Sequence, residues 1–154
     1  MLQRRGRIVG VGEAVDAKML EVGLPWVAEA AFLVAAADEI FEEDMLTLAA
    51  ILAAAFDDTI PEHRWMDHLE ACANSLENDG WEDRIDALSA NLPPVCRPLA
   101  LRAAAVALIS DHDFSPSRLP DPFLRVVEAI ELPEQEARRA VPAALTLFEG
   151  PRLA

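Results

Sequence analysis

The sequence predicts an all-α fold: a single-domain bundle of seven to eight helices built around two similar helical hairpins. Three observations predict it. Apolar residues recur at helical spacing along nearly the whole chain. Ala- and Leu-rich blocks dominate, Tyr is absent, and Val, Ile and Thr are sparse outside helical patterns, which disfavours strands. Proline, glycine and acid clusters separate the blocks, where helices stop and start.

The elements follow in order. A first short helix is predicted from about Gly12 to Val22, ending at Gly23, a residue suited to the position just past a helix. Pro25 then opens a helix through Ala37, because a proline is tolerated in the first turn. After Asp38–Phe41, the acids Glu42, Glu43 and Asp44 crowd the first turn of a helix to about Phe56, where the helix dipole favours them. Pro61 starts the next helix, which Asn78-Asp79-Gly80 stops near Glu77. Trp81 to Asn91 forms a shorter one, closed by Pro93 and Pro94, and another runs on to about Ser110. Ser115-Pro116 reads as a cap and first-turn proline for a helix to Ile130. Pro133-Glu134 opens the last, reaching about Phe148, with a kink at Pro142.

Size and charge narrow the function classes. A chain of 154 residues with 53% hydrophobic content can bury a core of its own as one domain. The richest apolar run, Trp26 to Ala37, is interrupted by Glu29, so no segment reaches the roughly 18 residues that span a bilayer. Arg4, Arg5 and Arg7 precede no apolar core of a signal peptide, and two cysteines make no disulfide framework; both predict a reducing cytoplasm. The net charge is -14, and residues 19–96 hold seventeen acids against two bases, Arg64 and Arg84. Such a surface repels nucleic acid and anionic lipid over a Debye length of about 8 Å. It attracts cations or a basic protein partner.

An internal echo supplies the candidate site. Leu33 to Phe41 overlays Val106 to Phe114: in each an apolar helix ends on an Asp, Asp38 or Asp111, with Phe three residues on and a further helix after it. A carboxylate at a helix C-terminus lies on the unfavourable end of the dipole, at a cost of about 0.3–1 kcal/mol. Two readings are open. Each Asp ties its own turn to the backbone of the next helix, or Asp38, Asp44, Asp111 and Asp113 converge on a hard divalent cation, Ca²⁺ or Mg²⁺.

Other motifs carry less. Asp111-His112-Asp113-Phe114-Ser115 opens like a calcium-binding EF-hand loop, but Pro116 stands where glycine is required and Pro122 where glutamate is. His63, Asp67, His68 and Cys72 share a helix, yet a spacing of five turns the two rings about 140° apart, which suits zinc poorly. His63 reads as an ion-paired surface residue. Gly10-Val11-Gly12 lacks the third glycine and the preceding strand of a nucleotide loop. Cys72 and Cys96 read as buried, inert thiols, and Trp26, Trp65 and Trp81 as anchors near helix starts.

Ala35-Ala36-Ala37-Asp38-Glu39-Ile40-Phe41-Glu42-Glu43-Asp44-Met45-Leu46 resembles the segment of TerB-like tellurite-resistance proteins in which Ala-Ala-Asp-Gly precedes acids and a helix. Ile109-Ser110-Asp111-His112-Asp113-Phe114-Ser115-Pro116 is similar to that family's second copy, and the overlay spans about Pro25 to Arg139. The resemblance implies a domain over 12–150, preceded by a basic arm over 1–11, with paired acidic turns that hold a metal ion. Asp38 and Asp111 match the turn aspartates and Asp44 the later acid. Glu39 and His112 replace the family's glycines, and Ser117 and Arg118 stand where an acid is usual, which leaves Asp113 to substitute. The implied function is a non-enzymatic, stress-associated scaffold or sensor with a weak divalent-cation site. The alternative is a metal-free interaction or homodimerisation module.

Overall fold

A computed structural model describes residues 17–37, 40–110 and 119–153, with side chains from 18 to 146. Among them are seven α-helices and no strand: α1 (Ala17–Ala35), α2 (Glu42–Ala55), α3 (Glu62–Asp79), α4 (Trp81–Asn91), α5 (Arg97–Ile109), α6 (Asp121–Ile130) and α7 (Glu134–Leu153). A 3₁₀ turn, Pro94–Cys96, leads directly into α5. The all-α expectation holds.

Two boundaries differ from expectation for a physical reason, and α7 runs on to Leu153, past the expected Phe148. α1 does not break at Gly23; it runs through both Gly23 and Pro25. Gly23 is there for close approach, since a β-carbon at that point would overlap Cys96 Sγ and crowd Cys96 Cβ. Pro25 and the residue four before it, Glu21, are both exposed, so the helix bond that proline forgoes lies on the wet side. Trp26 is therefore a mid-helix residue, not one near a helix start. α6 begins at Asp121, because Pro120 is extended (ψ 151°) and Pro122 sits in the first turn. The Ser115-Pro116 start lies outside the described residues.

α1 and α5 form the most extensive helix pair, and both are apolar on nearly every side. Leu24, Val27, Phe32 and Leu33 of α1 are buried, as is the unbroken run Ala103–Leu108 of α5. Alanines let the two axes approach closely while large side chains fill the flanks. α3 and α4 cover α1, α7 covers α5, and α6 packs on α1, α4 and α5. α2 lies chiefly on α3 and α5, where Phe56 stacks on buried Trp65 at 5.4 Å between ring centroids. One contiguous apolar core results. Among the described residues no single helix is long and apolar enough to cross a membrane.

Candidate functional site

α1 and α5 lie side by side in the core, and their C-terminal ends meet the N-terminal ends of α2 and α6. A cavity of about 400 Å³ opens there, lined by Val34 and Ala37 from the α1 end, Ile40 and Asp44 at the start of α2, Ser110 after α5 and Phe123 of α6. Ala37 and Ser110 are the immediate chain neighbours of Asp38 and Asp111. The described ends of two segments distant in sequence therefore line one cavity.

Of the four predicted ligands, Asp44 alone is described; Asp38, Asp111 and Asp113 lie outside the described residues. Asp44 is exposed, and its Oδ2 accepts a hydrogen bond from the Phe41 N–H at 2.9 Å. The Asp44 N–H donates to the Phe41 carbonyl at 3.0 Å, which closes the first turn of α2 reciprocally. This is the helix-starting role, and it commits one carboxylate oxygen. The hydroxyls nearby are also locally bonded: Thr47 donates to the Glu43 carbonyl at 3.1 Å and Ser110 to the Ala107 carbonyl at 2.7 Å. Their oxygen lone pairs remain as acceptors. The terminal carbonyls of two buried helices add partial negative charge. Every polar side chain in the described lining thus offers oxygen, the donor type that hard cations prefer. Among the described residues no group of three or more His, Cys, Asp or Glu side chains could hold a metal.

The α3 cluster does not converge. His63 and Asp67 are exposed, His68 is half-buried and Cys72 is buried. Among the described residues the ion pairs do not include His63, contrary to the sequence reading; Arg64 pairs with Glu21 at 2.9 Å instead. Burial holds the His68 imidazole below its ordinary value, with Arg64 nearby acting in the same direction.

The sequence reading missed the most tightly built polar cluster. Glu29, 2% exposed within α1, receives two bonds from Arg84 of α4: Nη2 to Oε1 at 2.8 Å and Nε to Oε2 at 3.2 Å. Arg84 also reaches Asp79 at 3.1 Å and lies over the Trp26 ring at 5.4 Å. The Glu29 hydrogen bond pushes the guanidinium up, and burial beside Glu29 pushes the Cys72 thiol well up, which leaves it inert. The cluster has all its strong partners inside the protein and ties α4 to α1. Its signals were present: one acid inside an apolar run, and one arginine in a stretch of acids. A second missed residue is Arg102 of α5, whose Nη2 donates to the Ala55 carbonyl at 2.7 Å and whose head lies over Phe56. It caps α2.

The chain matches no protein-family model, no curated protein and no solved structure.

Proposed function

We propose that this chain is an acidic, non-enzymatic binding module that holds a hard divalent cation, Ca²⁺ or Mg²⁺, where its two aspartate turns meet. The observation that carries the reading is the shared cavity: Ala37 and Ser110, next to Asp38 and Asp111, line the same space. Asp44 on its rim and the hydroxyls of Thr47 and Ser110 supply further oxygen donors. Binding rather than turnover fits a site whose described polar side chains are engaged in bonds within their own helix turns. The TerB-like resemblance adds the setting, a stress-associated scaffold or sensor in the cytoplasm, and it enters here as a resemblance only.

Isothermal titration with Ca²⁺, Mg²⁺ and Mn²⁺ tests the proposal on the intact chain and on Asp38→Asn/Asp111→Asn. Heat from the wild type, lost in the double variant with its helical content unchanged, is the expected result. Equal, negligible heats in both remove the cation. A second reading, docking to a basic protein, is favoured by an observation elsewhere on the surface.

A further inference from the structure

We infer that the outer face of α2 is a docking surface for an amphipathic helix whose apolar stripe is flanked at both ends by basic residues. The inference rests on the binding-module reading but is independent of the cation.

Apolar all round, α2 departs from the pattern of a surface helix. From Met45 to Phe56 the chain carries no charged residue, and Thr47 is its one polar side chain. The inner side is used: Leu48, Ala49, Leu52, Ala53 and Ala55 are buried. The outer side is not. Leu46, Ala50 and Ala54 recur every four residues on one face and are all exposed, Leu46 at 48%. Phe41, immediately ahead of the helix, is exposed at 55%. A helix that is apolar all round belongs in an interior, and among the described residues nothing covers this face. Two alanines in line permit a second helix to approach to about 8–10 Å between axes.

Charge decides the occupant. Exposed Glu42 and Glu43 stand at one end of the face, and exposed Asp57 and Asp58 at the other, about 20 Å away along the axis. A second copy of this chain would set acids against acids whether its α2 ran parallel or antiparallel. A helix of about four turns with Arg or Lys at each end would pair with both acidic ends and bury the stripe between them.

The test is fluorescence anisotropy on the full chain with chelator present, so that loss of cation binding and loss of docking remain distinguishable. The probe is a labelled synthetic amphipathic helix of about 14 residues with a leucine stripe and arginines at both ends. Its control keeps the stripe and carries glutamates at the ends. The arginine-ended peptide binds, more weakly at high salt, and the control binds at least about tenfold more weakly. Leu46→Glu and Ala50→Glu each weaken binding about tenfold or more with an unchanged melting temperature, both positions being exposed. Equal binding of both peptides, no binding, or binding unaffected by the two variants overturns the inference. So does a wild-type dimer that Leu46→Glu dissolves, which would make a second copy the cover. Tighter peptide binding after Arg4→Glu/Arg5→Glu/Arg7→Glu would assign the face to the chain's own N-terminal segment, and likewise overturn it.

Discussion

α2 and α6 follow two buried, alanine-rich helices in the same order along the chain, yet they treat their outer faces differently. α6 is amphipathic: Phe123, Val126, Val127 and Ile130 are buried, while Asp121, Arg125 and Glu128 face water. Its Arg125 pairs with Glu82 of α4 at 2.5 Å and lies over the Trp81 ring at 5.6 Å. α2 presents Leu46, Ala50 and Ala54 to solvent and is tied down through its far end, where Arg102 holds the Ala55 carbonyl. The same helix–turn–helix order therefore serves two purposes. α6 finishes the protein's own surface, and α2 leaves apolar area over.

The largest expected effect tests what fixes the helices beneath them. α1 carries Glu29 in the core, and Glu29→Ala strands the Arg84 guanidinium, which is 13% exposed. The expected loss is about 3–5 kcal/mol in urea unfolding. A loss under about 1 kcal/mol would mean that Asp79 and Trp26 suffice for Arg84, and that α4 does not depend on α1 for its charge. The next effect addresses α2 directly. Leu52→Ala on its inner face costs about 2–5 kcal/mol as a cavity, whereas Leu46→Ala on its outer face stays within about 0.5 kcal/mol. Equal costs would show that the outer face is covered within the single chain, and the contrast with α6 would vanish.

The smallest effect lies on α3, the helix that α2 leans on. Because burial lowers the His68 pKa, the folded state binds fewer protons than the unfolded one just below pH 6.5. Stability is therefore full above about 6.5 and falls as pH drops through the window beneath it, with Asp67 and Glu21 opposing the shift and Arg64 reinforcing it. His68→Gln flattens that slope in thermal melts taken across the window. An unchanged slope would place the titrating group elsewhere.

Sequence patterning located helices better than it located their neighbours. First-turn acids marked the start of α2, and Asn78-Asp79-Gly80 ended α3 within two residues of the expected Glu77. Gly23 and Pro25 misled because both are local stop signals, while the need for a glycine at 23 comes from Cys96, far along the chain. α6 opens at Asp121 because Pro120 is extended and Pro122 occupies the first turn, and the expected Ser115-Pro116 start lies outside the described residues. At the site, Asp44 at the start of α2 was legible, and Asp38, Asp111 and Asp113 lie outside the described residues. That Ala37 and Ser110 line one cavity was not legible, since it depends on α1 lying along α5. The charge-free run from Met45 to Phe56 was visible in the sequence, but which of its sides stays wet depends on where α3 and α5 stop covering it.

The meeting of Gly23 with Cys96 also carries a consequence for descent. The sulfur fills the volume that a methyl group at position 23 would claim, so the two sites share a single allowance of space. Homologues that drift to a bulkier residue at either site must shrink the other or slide α1 along the 3₁₀ turn, and the pair is expected to change in concert.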